Sequence, residues 1–213
     1  MVYADEQTVI TALASAFQAA GASPFWSDQG LASAGLVSAA TLEANSDALL
    51  VWTSKPFKDP TGVGNTVATY LESGRQVVLA GDVYLAPNTG GIGGKMRASY
   101  ILFTPGTLGV PVAGAFTLSP LVASPIFAGL GPIAADTPPS ISTSPVGGAI
   151  VVGEWSKGAA AGVPVVVTGS VMVLGQPRNR VDLNMQVSPK SATFAGGWTG
   201  DGITLLLNAL RYK

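Results

Sequence analysis

The sequence has 213 residues, no cysteine, no histidine, and 11 Lys plus Arg against 12 Asp plus Glu, a formal net charge of -1. Without a thiol or an imidazole the chain cannot run chemistry that needs a cysteine nucleophile or a histidine base. The near-zero charge is not segregated along the chain, which excludes the basic stripe by which proteins hold nucleic acid.

In chain order, Met1 leads directly into VYA, a short strand, without the basic and apolar regions of a signal peptide. Asp5 is placed to cap a helix whose Val9, Ile10, Leu13, Ala16, Phe17 and Ala20 repeat at helical spacing until Gly21. Phe25 and Trp26 fall in a short extended piece, and residues 31–44 are weakly periodic. DALLVWT (Asp47–Thr53) then reads as a parallel strand buried on both faces. After the loop Ser54–Gly62, Asp59 and Pro60 supply an N-cap and a first-turn proline for a helix that buries Val63, Val67, Tyr70 and Leu71. Gly74 ends it, and QVVLA (Gln76–Ala80) is the next buried strand.

A glycine-rich loop follows at Asn88–Lys95, and then a Pro/Gly/Ser-rich excursion at about 104–146 with one short helix at Ser124–Leu130. An excursion of that length is where function or assembly contacts commonly lie. The last third turns to Val-rich strands, at Ala149–Trp155, Val163–Leu174 and Val181–Val187, with QPRNR as a turn. Asp201 is placed to cap a closing helix that buries Ile203, Leu206, Leu207 and Leu210. The expectation is one α/β domain spanning 1–213, a flavodoxin-like parallel sheet flanked by helices with a β-rich C-terminal third. No run approaches the ~20 apolar residues of a spanning helix.

The unit Asp47–Ala80, the GGIGGKMRASY stretch (Gly90–Tyr100) and the closing FAGGWTGDGITLLLNALRYK (Phe194–Lys213) together resemble class I glutamine amidotransferase-like domains, especially the trehalose-utilisation-type branch. In those enzymes the resemblance implies a cysteine nucleophile on the turn after the strand matching Gln76–Ala80, with a histidine base. Here that turn reads Gly81-Asp82-Val83-Tyr84. The resemblance therefore implies a non-catalytic relative, a scaffold without its enzyme.

Candidate groups remain. Asp82 sits where open α/β sheets place ligands, and Ser54, Asp82 and Tyr84 outline a cleft, although an aspartate there also closes turns through backbone hydrogen bonds. Glu154 beside Trp155 would make a carboxylate pair with Asp82 if the two lay within about 5 to 10 Å. GGIGGK lacks the spacing of a phosphate loop and reads as a tight turn. Phe57, Arg178 and Arg180 are candidate partner contacts. Scattered carboxylates without histidine predict no metal site, and no cofactor is expected.

Charged residues are only 11% of the chain, against about 25% in soluble proteins generally. Such a surface costs little to desolvate and suits packing into an assembly, while a compositional habit of the source lineage would produce the same pattern. Two functions follow as expectations. The first is a non-enzymatic structural or interaction protein, a homo- or hetero-oligomeric subunit or decoration of a virion or extracellular assembly. The second is a small-molecule or carbohydrate-binding module, with a hydrolase using carboxylates alone behind it.

Overall fold

The computed structural model describes residues 1–4, 7–30, 33–108, 116–135, 141–142, 144–156, 161–190 and 197–213. Asp5 and the start of the closing motif, Phe194–Gly196, lie outside them.

The first half builds crossover units. β1 (Val2–Ala4) leads to α1 (Gln7–Ala19), which buries Ile10, Leu13 and Phe17 and ends at Gly21, φ 79°. β2 (Ser27–Asp28) is followed by α2 (Ala39–Asn45), where the Ser38 hydroxyl accepts from Thr41 N–H. β3 (Ala48–Thr53), α3 (Pro60–Glu72) and β4 (Gln76–Gly81) match the expected unit: the Asp59 carboxylate accepts from Gly62 N–H at 2.8 Å and Pro60 occupies the first turn. Both strands are apolar on both faces because both faces are covered. Leu50, Trp52, Val78 and Ala80 join the core beneath α1 and the C-terminal helix, and Leu49, Val51, Val77 and Leu79 join the core beneath α2 and α3.

Two 3-10 turns (Asp82–Tyr84 and Pro87–Thr89) lead to α4 (Gly94–Ser99). The excursion contributes strands: β5 (Thr107–Leu108), β6 (Phe116–Pro120), a 3-10 turn at Pro125–Phe127 in place of the expected short helix, β7 (Ile133–Ala135) and β8 (Ile141–Ser142). β9 (Ile150–Trp155), β10 (Pro164–Val173), β11 (Gln176–Leu183), β12 (Trp198–Gly200) and α5 (Gly202–Arg211) complete the chain.

Ten strands form one mixed sheet in the order β12-β7-β6-β9-β10-β11-β4-β3-β1-β2, and β5 pairs separately with β8. β2, β1, β3, β4 and β11 are parallel, whereas every pairing from β11 outward through β10, β9, β6, β7 and β12 is antiparallel. This corrects the expected flavodoxin-like parallel sheet flanked by helices. Half of the sheet is antiparallel, and this antiparallel part begins in the excursion rather than in the last third. The physical reason is connection length: a helix crossover returns the chain parallel, while the direct β10–β11 connection leaves no room for one. Val173 pairs with Gln176, so that turn consists of Leu174 and Gly175 alone, at φ 48° and 79°. Positive φ at both central residues is the type I′ hairpin geometry.

The closing motif has a local logic. Gly202 lies against the Trp198 indole with no space for a Cβ, and Gly200, φ 86°, lies against Pro132 O. Asp201 begins α5 through its backbone, but its carboxylate accepts from Gly131 N–H at 2.7 Å instead of capping the helix, which ties α5 to the excursion.

Candidate functional site

The carboxyl edge of β3 and β4 is the natural place to look, because open α/β sheets bind ligands there. Register pairs Thr53 with Gly81, so Ser54 and Asp82 leave neighbouring strands at the same level. Thr53 is buried, and its hydroxyl both accepts from Lys55 N–H and donates to Lys55 O, which fixes the turn carrying Ser54. Gly81 holds φ 66° and ψ −138°, a conformation that side-chain-bearing residues adopt at a cost, and a 3-10 turn follows at once. Strand, strained residue and helical turn in this sequence make the backbone shape of a nucleophile elbow, here without a side chain at its apex. A Cβ on Gly81 would lie 3.6 Å from both Gln186 Oε1 and Thr53 O, so the apex has room. Asp82 is half-buried and accepts from Gln186 Nε2 at 3.3 Å. Gln186 falls within the expected strand Val181–Val187, but β11 ends at Leu183 and Gln186 lies in the loop beyond it.

Tyr84 does not face this edge. It is buried, its ring meets Phe103 edge-on at 5.1 Å, and its hydroxyl donates to Leu79 O at 2.9 Å. Burial, reinforced by the nearby Asp182 charge, pushes the phenol well above its ordinary range despite Arg180. Glu154 does not meet Asp82 either. The strands β10 and β11 separate β9 from β4, roughly 14 Å at the usual strand spacing. Trp155 is buried in the core and offers no stacking face.

The glycine loop is a packing device. Gly91, Ile92 and Gly93 donate their N–H groups to Ala86 O, Val83 O and Pro60 O, and Lys95 pairs with Glu72 at 2.5 Å, so neither amides nor ammonium are left for an anion. Gly64 and Gly91 sit against the backbones of Gly93 and Leu85 with no room for a Cβ.

Two expected partner contacts are internal. Phe57 is buried in the core with α3. Arg180 is not in a turn but inside β11, fully buried, 2.5 Å from the equally buried Asp182. Its guanidinium also donates to Tyr100 O and Val77 O, and Asp182 accepts from Leu102 N–H at 2.8 Å and Leu79 N–H at 3.4 Å. Burial raises the Asp182 carboxyl against the pull of Arg180 and these two amides. The pair staples the segment after α4 to the sheet. Arg178, two residues earlier, is exposed.

The exposed apolar groups lie elsewhere. Among the described residues seven large apolar side chains are exposed, and five of them (Leu121, Val122, Ile150, Met172 and Leu174) lie in or beside β6, β9 and β10. Leu174 is 71% exposed and Met172 62%, at the tip of the β10–β11 hairpin. A shallow groove of ≈ 470 Å³ lies beyond β6, lined by Pro120–Ser124, Phe127 and Ala128, with no charged residue.

The chain shares its fold with a ThuA-like protein. That protein, from Parabacteroides merdae, superposes with a TM-score of 0.60 at 15% identity over 98% of this chain and 86% of its own. A cold-adapted β-galactosidase from Rahnella sp. R3 superposes at TM-score 0.52 and 14% identity over 96% of this chain, which spans 27% of that longer enzyme. No family model matches the sequence, and no curated protein does. The likeness is one of fold. Among the described residues no helix is long and apolar enough to cross a membrane.

Proposed function

We propose that this chain is a non-enzymatic interaction protein, a subunit of a larger virion or extracellular assembly built on a glutamine amidotransferase-like scaffold that has lost its nucleophile. The observation that carries the reading is the β10–β11 hairpin tip. Leu174 is a bulky residue at a positive φ, which costs about 1–2 kcal/mol relative to a residue suited to the position, and it is also the most exposed of the large apolar side chains named above. Neither property serves the fold. An uncharged groove at residues 120–128, separate from the hairpin tip, would receive the Leu174 side chain. The partner is therefore a second copy of this chain, and because knob and groove are distinct patches the contact is head-to-tail and adds further copies. The bare apex at Gly81 supports the non-catalytic part of the reading. Sedimentation velocity across a concentration series tests it: the wild-type chain forms oligomers that Met172→Ser with Leu174→Asn abolishes. A wild-type chain that stays monomeric at hundreds of micromolar refutes the proposal.

A second reading, a carbohydrate- or small-molecule-binding module, is favoured by the half-buried Asp82–Gln186 pair at the carboxyl edge and by the β-galactosidase neighbour. It predicts a saturable thermal shift with galactose that Asp82→Ala removes.

A further inference from the structure

The opposite edge of the parallel strands holds a cavity of ≈ 1050 Å³ between the C-terminal ends of α3 and α5. Its lining includes Arg75, Arg178, Arg211 and Lys213, and the side-chain carboxylate of Asp47. In a chain of 11 Lys plus Arg and net charge -1 this is a marked concentration. Arg75 is engaged by Asp47 at 2.5 Å. Arg178, Arg211 and Lys213 make no hydrogen bond or ion pair with the described residues. The carbonyl ends of two helices carry about half a negative charge each, so they offset about one of the two charges on Arg178 and Arg211. About one positive charge is left uncompensated. Arg178 is seated there by its neighbour: a Cβ on Gly74, itself at φ 93°, would come within 3.3 Å of the Arg178 guanidinium.

A second chamber of ≈ 350 Å³ adjoins the first, sharing Ala22, Asp47, Ala48, Leu207 and Leu210 as common wall. Its apolar side is formed by Phe17, Phe25 and Leu50, and Ser23, Asn45 and Ser46 line the rest. The two volumes fall in the range of small-molecule sites. We infer that this basal groove binds an amphipathic anion, with an alkyl or aryl body in the Phe17–Phe25 chamber and a carboxylate or phosphate head at Arg178 and Arg211. The inference is independent of the assembly reading, since it uses neither the hairpin tip nor the 120–128 groove.

Isothermal titration calorimetry of the full chain with octanoate and octyl phosphate tests it, with 1-octanol and inorganic phosphate as probes of body and head alone. Either anion is expected to saturate a single site, with 1-octanol and phosphate each at least tenfold weaker. Arg178→Ala with Arg211→Ala is expected to lower anion affinity at least tenfold, a loss of about 1.4 kcal/mol or more. Both arginines are exposed, and an unchanged circular dichroism melt verifies that the variant folds. Equal affinity for octanol and octanoate, an unaffected double variant, or no saturation by either anion at millimolar concentration overturns the inference. Binding only to phosphatidylglycerol vesicles, and not to the soluble anions, does so as well.

Discussion

Leu174 and Arg180 lie six residues apart on one hairpin and show what single residues do in this molecule. At Leu174 a type I′ turn wants asparagine or glycine, and water wants a polar group. Leu174→Asn is therefore expected to raise monomer stability by about 0.5–1 kcal/mol, read as a higher urea midpoint at a concentration where the protein is monomeric; a lower midpoint shows that the leucine serves the fold. Arg180 is the reverse case, a charge the fold depends on. Arg180→Leu strands Asp182 in the core and is expected to cost about 3–5 kcal/mol in chemical denaturation, with much of the loss recovered when Asp182 is also replaced by leucine. A cost below about 1 kcal/mol contradicts the staple. Neither role was legible in the sequence. QPRNR has the composition of a turn, so both arginines read as solvent-facing, and β11 offers no alternation to read: its first four residues are exposed and its last four buried, two of these charged. The actual turn announces itself only by Gly175, since leucine is not a turn residue.

Among the elements, the contact of α3 with α4 rests on missing side chains. Gly64→Ala, usually stabilising in a helix, is expected to cost about 1–3 kcal/mol, because the new methyl meets the Gly93 carbonyl. The same contact has a pH signature. Burial alone would raise the Glu72 carboxyl, but hydrogen bonds from Lys95 and Tyr100 and the ammonium charge outweigh it and hold the group below its ordinary 4.5. The Tyr100 hydroxyl donates to Glu72 at 2.7 Å and is pushed up to about 12. The contribution from Glu72 is thus present above pH 4.5 and lost as pH falls below it. That from Tyr100 is intact below pH 10 and lost as pH rises toward 12. Urea midpoints against pH should show both limbs in the wild type and no alkaline limb from this contact in Tyr100→Phe. The β3–α3–β4 unit was readable because each of its signals is local: two buried apolar runs, an Asp-Pro start and a glycine stop. The strands of the excursion were not, because β6 finds its partner in β9, some thirty residues away, and nothing within Phe116–Pro120 records that pairing.

For the whole molecule, the sequence excludes thiol and imidazole chemistry, and two features of the fold support the proposed non-enzymatic role. The apex at Gly81 has the backbone shape of a nucleophile elbow and no side chain, and five of the seven large apolar side chains exposed among the described residues lie on the antiparallel half. Asp82 was legible as a residue at a strand end, while its partner Gln186 was not, since the run Val181–Val187 reads as one strand and hides the loop that begins after Leu183. The absence of cysteine makes the central claim directly testable. A disulfide requires Cβ atoms about 3.5–4.5 Å apart, so a thiol at the hairpin tip and a thiol in the groove report contact between copies. Leu174→Cys and Ala123→Cys chains, mixed under mild oxidation and run on a non-reducing gel, should yield a crosslinked pair containing one of each. A mixture that gives only random homodimers, or no crosslink, contradicts assembly through this hairpin.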